Sequence, residues 1–196
     1  MKTQLAYLLL VSAASVVVAQ PHTPPDPSKP AQLAAQTGSS RYAGEQEREI
    51  KAFSAQQMED LRAGRGMSLA LAAELNGYPG PAHVAELGGK LRLTQDQLRE
   101  TTVLTDQMKA DAQRLGKAAI ETERELDHLF KTGRPSEVSV AQAVERTALA
   151  QAALRASHLN YHLRTVAILT AQQIARYQEL RGYAASASAV PKYEAN

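Results

Sequence analysis

The chain has no cysteine and no tryptophan, and its 196 residues include only two phenylalanines and seven tyrosines. Without cysteine there is no disulfide, no thiolate metal ligand and no thiol nucleophile, so stability has to come from packing, assembly or a bound ligand. Charge of one sign is also scarce. Twenty-two basic and 20 acidic residues leave a formal net charge of +2, which lacks the excess of Lys and Arg that binds nucleic acid. Beyond residue 19 no apolar run is long enough to cross a bilayer. The familiar catalytic signatures are missing as well: there is no G-x-S-x-G elbow, no H-E-x-x-H and no phosphate-binding loop. Carboxylates are plentiful but lie among arginines and lysines. "ETERELD", residues 121–127, reads as a solvated helix face. These absences point away from an enzyme and toward a binding module.

What is present is alanine, leucine, glutamine, glutamate and arginine, the composition of thinly packed helices. The chain opens with "MKTQLAYLLLVSAASVVVA". Lys2 precedes an uncharged apolar stretch over residues 5–18, and small residues follow. This is the pattern of a cleaved secretory signal peptide over residues 1–19, and it implies a periplasmic location. Residues 20–40 hold five of the nine prolines and read as a disordered linker. A short-helix arm is expected over residues 41–81, a helical core over 82–183 and a disordered tail over 184–196.

Within the arm, Ser54 and Gln57 form a capping box for a helix over residues 55–62, which Gly64 and Gly66 end. A second short helix is expected over residues 67–75. "NGYPGP" then makes a turn in which Gly77 and Gly80 supply positive φ. A short helix over residues 83–87 is broken by Gly88 and Gly89. Thr94, with Gln97, caps a long helix whose stripe is Leu98, Thr101, Thr105, Met108, Ala112, Leu115, Ala119, Thr122, Leu126 and Leu129. Gly133 and Pro135 turn the chain into a second long helix over residues 136–167. Two rows share its buried side: Val140, Val144, Thr147 and Leu154, and Ala152, Ala156, Leu159, Leu163 and Val166. Thr170, with Gln173, caps a last helix. The fold class is therefore all-α: a long antiparallel helical hairpin with short flanking helices. Such a hairpin has little core of its own, so a homodimer is expected.

On the second long helix, His158 and His162 stand four apart in "SHLNYHL". Residues at that spacing share a face with Cβ atoms about 6 Å apart, so both imidazoles can reach one cation. They can equally be two polar residues packed in a helix interface, and both readings stand at this point. If the hairpin folds about Gly133, His162 faces Leu104 and Thr105, His158 faces Met108, and Asp106 lies within a turn of both.

One phrase occurs twice, as "LTQDQ" at residues 93–97 and "LTAQQ" at residues 169–173. Each places an apolar residue before a Thr cap with Gln at the third helical position, so Leu93 and Leu169 can act as hydrophobic staples. An exported helical hairpin bracketed by two L-T-x-x-Q motifs, with histidine on its second long helix, resembles the Spy/CpxP-like heavy-metal-resistance and chaperone superfamily over residues 83–183. Metal sensors of the CnrX type belong to it. The resemblance implies a divalent transition metal (Zn, Ni, Co or Cu) held by His83 and Glu86 before the first long helix, Asp106 within it, and His158 or His162 on the second. Only one histidine occupies the first of these motifs, where the family's sensors have two. The resemblance also implies an alternative activity, an ATP-independent chaperone that binds unfolded client proteins on a dimer's concave face. A membrane-bound signalling partner is the further partner it implies.

Overall fold

A computed structural model of the protein describes residues 40–183. The expected signal peptide, nearly all of the linker and the tail lie outside the described residues. The chain divides into two units, Met1–Arg41 and Tyr42–Asn196, and every element below belongs to the second. After a 3-10 turn (Glu45–Glu47) come α1 (Ala55–Ala63), α2 (Leu71–Glu74), α3 (Pro81–Glu86), α4 (Gly88–Leu91), α5 (Gln95–Thr132), α6 (Glu137–Ile168) and α7 (Ala171–Leu180). Among the described residues the regular elements are all helices, and none is long and apolar enough to cross a membrane.

The helix starts follow local chemistry. Ser54, Thr94, Ser136 and Thr170 each sit in extended backbone and accept from the third helical N–H, and each N3 side chain reaches back to the cap. Two of these boxes also meet. The Gln97 and Gln173 side-chain amides exchange hydrogen bonds of 3.0 and 2.9 Å, and Gln97 Nε2 also donates to the Ile168 carbonyl at 2.8 Å. The repeated phrase therefore clasps the start of α5 to the end of α6 and the start of α7.

α5 and α6 form the antiparallel hairpin. Its cross-helix bonds are Tyr161 Oη to Asp111 (2.8 Å), Arg164 to Gln107 (3.0 Å), Gln151 to Glu123 (3.0 Å) and the Arg146–Glu125 ion pair (3.4 Å). These pairs centre the fold of the hairpin between residues 135 and 137 rather than at Gly133; Gly133 and Ser136, which bound the turn, are both extended. Gly133 itself is extended, with no need of glycine's left-handed range.

The α5 stripe holds at Thr101, Ala112 and Ala119, while Leu98 is exposed and Leu104, Gly116, Ile120 and Glu123 join the buried side. On α6 the expected row of Ala152, Ala156 and Leu163 faces solvent, and Val144 is exposed too. The buried line keeps the expected Thr147, Leu154 and Val166 and adds Ala143, His158, Tyr161, His162 and Thr165. Polar groups occupy an interior there because most of them find partners: Thr165 Oγ1 donates to the Tyr161 carbonyl at 2.7 Å, for example. Glu123, read above as part of a solvated face, is buried against Gln151.

The arm shares its core with the hairpin. Ile50, Met58 and Leu61 pack with Ala112, Ile120 and Leu154. α1 crosses α5 at Gly116, so closely that a Cβ there would stand 2.5 Å from the Leu61 carbonyl oxygen. A second cluster joins Val84, Leu91 and the fully buried Tyr177 with Leu93 and Leu169, the two expected staples. Two local expectations fail. The second arm helix covers only Leu71–Glu74, because Met67 and Ser68 have positive φ. Gly88 and Gly89 do not break the chain but begin α4, which ends at Arg92 in the left-handed region.

Candidate functional site

His158 and His162 are buried on the face of α6 that meets α5 and the arm, at 3% and 7% exposure. Their Nδ1 atoms lie 3.0 Å from the Leu154 carbonyl oxygen and 2.6 Å from the Tyr78 carbonyl oxygen. A carbonyl oxygen only accepts, so each Nδ1 carries the hydrogen, and Nε2 is left with its lone pair in the neutral ring. Burial holds the His162 imidazole below its ordinary pKa of 6.5, against smaller opposing effects of the Tyr78 bond and Glu74, so it is neutral at pH 7. His158 Nε2 is buried and has no hydrogen-bond partner, a position that costs free energy in a finished interior.

The "NGYPGP" turn is built around His162. Gly77 adopts φ +90° as expected, but Gly80 is extended. At position 80 the constraint is space: a Cβ there would lie 3.0 Å from both Cε1 and Nε2 of His162, so a side chain would press on the ring. Beneath the turn, the Glu74 carboxylate accepts from Tyr177 Oη (2.5 Å), the Gly80 N–H (3.2 Å) and Tyr183 Oη (3.4 Å). Arg181 Nε stands 3.6 Å from it and His162 Nδ1 3.8 Å. Burial, with the Glu74 bond, pushes the Tyr177 phenol far above its ordinary range, so it remains a donor. The arm, α6 and α7 therefore meet at one carboxylate, a tie that brings the Tyr78 carbonyl to His162.

Both histidines line a cavity of about 700 Å³, bounded by the arm, the start of α3, α5 and the chain after α7. Thr105 and Met108 line it with them, although the register set by Tyr161–Asp111 and Arg164–Gln107 puts the residues directly opposite the histidines further along α5 than the fold about Gly133 implied. His83 also lines the cavity and is half-exposed, with Nδ1 3.1 Å from Glu86 Oε2. Glu86 is exposed and is not part of the lining, and Asp106 is exposed on α5 outside it. Each imidazole is held through Nδ1 by a backbone carbonyl, an orientation that metal-bound histidines also use. The carboxylates named with them do not stand at the cavity, and among the described residues no group of three or more His, Asp or Glu is placed to hold a metal ion.

Glu74, Tyr78 and Tyr177 were not singled out from the sequence, and Gly80 was singled out only as a turn glycine. Glu74 carried a signal: it is the lone charge in the apolar run "LALAAEL", residues 69–75, where a buried acid needs partners. The target of the "NGYPGP" turn had none, since it lies more than 80 residues away at His162. No family model, curated protein or solved structure matches this chain.

Proposed function

We propose that the protein is a periplasmic metal-binding or metal-sensing stress-resistance protein of the Spy/CpxP-like type, with His158 and His162 as the donors to one divalent transition metal. The observation that carries this reading is the pair of rings each held through Nδ1 by a backbone carbonyl, with the buried Nε2 of His158 unpartnered. Imidazole suits the borderline cations Zn²⁺, Ni²⁺, Co²⁺ and Cu²⁺. Because His158 Nε2 is shut off from solvent, loading requires a local shift of the ring or its neighbours. The test is calorimetric titration at pH 7.5 of the wild type and of a His158→Gln/His162→Gln variant whose fold is checked by circular dichroism. The wild type should bind at least one of the four ions about tenfold or more tightly than the variant, a difference of about 1.4 kcal/mol. Equal affinities, or nothing tighter than millimolar in either, would reduce the pair to packing.

A second reading has its own observation. Phe130, Val138, Val144 and Leu149 are exposed toward the turn end of the hairpin, an apolar surface of the kind that receives unfolded chains or a second copy. In that case the metal-free protein, as a dimer, suppresses aggregation of an unrelated denatured client. A stoichiometric amount without effect at any salt concentration counts against it.

A further inference from the structure

The chain has three asparagines, and Asn76 is the one followed by glycine. It is exposed just after α2, in the turn that carries the Tyr78 carbonyl to His162. Asparagine and glycine suit such a turn through their backbone freedom, and Gly77 uses that freedom at φ +90°. The same pair has a reactivity of its own. A glycine nitrogen, with no Cβ beside it, is open to the carboxamide carbon of the residue before.

Local bonding leaves this approach free. The Asn76 and Tyr78 N–H groups both donate to the Ala73 carbonyl at 3.0 Å, whereas the Gly77 N–H between them has no hydrogen-bond partner among the described residues. The attacking nitrogen is therefore not tied into the backbone, and Gly77 is only half-buried, so water reaches it. Asn76 Nδ2 donates to the Ala72 carbonyl at 2.8 Å. That exposed bond breaks as ammonia leaves, so it slows the step without barring it. Asn160 is the internal contrast: it lies within α6, where helical geometry engages the following N–H and Tyr161 supplies a bulky side chain.

We propose that Asn76 is a site of spontaneous covalent modification, deamidating through Gly77 to aspartate and isoaspartate, and that the isoaspartyl form loosens the turn that holds His162. The Gly77 nitrogen gives up its proton and bonds to Asn76 Cγ. The Cγ–Nδ2 bond breaks, and Nδ2 takes up a proton and leaves as ammonia, closing a five-membered imide. Water then opens the ring. Attack at the side-chain carbonyl restores the ordinary main chain as aspartate; attack at the main-chain carbonyl routes the chain through Cβ as isoaspartate. The sum is asparagine and water giving acid and ammonia. Position gives the product its effect. Asn76 lies between Glu74, whose carboxylate is anchored to Tyr177 and the Gly80 N–H, and Tyr78, whose carbonyl stands 2.6 Å from His162 Nδ1. Isoaspartate inserts an extra main-chain carbon between these anchors, so both cannot keep their register. Aspartate inserts none. The modification is independent of any metal at the histidines.

The protein is incubated at 37 °C at pH 7.4 and pH 9, folded and in urea, then digested at mildly acidic pH. Mass spectrometry, with chromatography that separates aspartyl from isoaspartyl peptides, follows each asparagine. In the folded protein Asn76 should convert within about tenfold of its rate in urea, because only local opening is needed. Isoaspartate should be in excess, the rate should rise with pH, and Asn160 should stay intact. Asn76→Gln should not convert at that position. Conversion confined to urea, or equal conversion of Asn160 in the folded protein, would overturn the site. Hydrogen exchange over residues 71–80 should then be about threefold or more faster in aged than in fresh wild type. It should be unchanged in aged Asn76→Gln, and in Asn76→Asp, which has the new charge on an ordinary main chain. Aged protein that exchanges like fresh protein, or Asn76→Asp that is equally loosened, would overturn the isoaspartyl effect.

Discussion

Toward its open end the hairpin is wrapped. α1 lies across α5, α3 touches both long helices, and the Glu74 carboxylate ties the arm to Tyr177 and the end of α7. Toward the turn, α5 and α6 have only each other, and no residue between Glu123 and Ala143 is buried. The same two helices are continuous through both halves, and both halves carry apolar side chains. What differs is whether a third layer covers the pair. Two helices alone bury one stripe each, so a third element is needed to enclose polar groups from all sides, as it does around His158 and His162. Hence the cavity lies in the wrapped half, and the turn half offers surface rather than a site.

The contrast can be broken most severely at the α1–α5 crossing. Gly116→Ala puts a methyl group on the Leu61 backbone, so it should destabilise by about 3 kcal/mol even though alanine favours helix. Phe130→Ala, on the 61%-exposed side chain near the turn, should stay within about 0.5 kcal/mol. Denaturant unfolding monitored by circular dichroism compares the two, and similar costs would erase the distinction between the halves. A smaller effect should come from Tyr177→Phe, which takes the 2.5 Å donor from the buried Glu74 and leaves its packing volume in place. It should cost about 1–2 kcal/mol, and amide exchange should rise around α2 and α7 but not around the turn. Uniform exchange changes would mean that the carboxylate does not hold the layer together.

The smallest expected change has the opposite sign and marks the border between the halves. Burial raises the Glu123 carboxyl above its ordinary pKa of 4.5, with the Gln151 bond opposing. A raised folded-state pKa gives stability that is complete below about pH 4.5 and is lost as pH rises through the folded value. Ionised Glu123 is therefore a cost at neutral pH. Glu123→Gln keeps an oxygen to accept from Gln151, and should stabilise by up to about 1 kcal/mol at pH 7, with the gain vanishing below about pH 4.5. Thermal melts of both proteins from pH 4 to 8 check this; a gain that is constant with pH would assign it to something other than ionisation.

The helix starts at Ala55, Gln95 and Ala171 were legible in the sequence because each capping box needs only residues three apart. The hairpin was legible for a similar reason, from the spacing along α5. The inner face of α6 was not, since its buried side chains include His158, Tyr161, His162 and Thr165 while Leu163 is outside. Hydropathy ranks these the wrong way round: His158, through Nδ1, and Thr165 are satisfied by carbonyls one turn back on α6, while Tyr161 and His162 depend on Asp111 and Tyr78 from other segments, which sequence spacing does not contain. For the candidate site, the histidine pair was visible from its spacing, while the Tyr78 carbonyl, Gly80 and Glu74 come from a distant segment that only the third layer brings close.

The Gln97–Gln173 clasp has a topological meaning. With the covalent turn at residues 133–136, it closes α5 and α6 into a ring, joined through the backbone at one end and through two side-chain amides at the other. Loop-closure entropy grows only with the logarithm of length, so sealing a ring of 76 residues costs little more than sealing a much shorter one. A hairpin held only at its turn would open like tweezers from its free ends. This one has to release an uncharged pair first, one that neither salt nor moderate changes of pH can loosen.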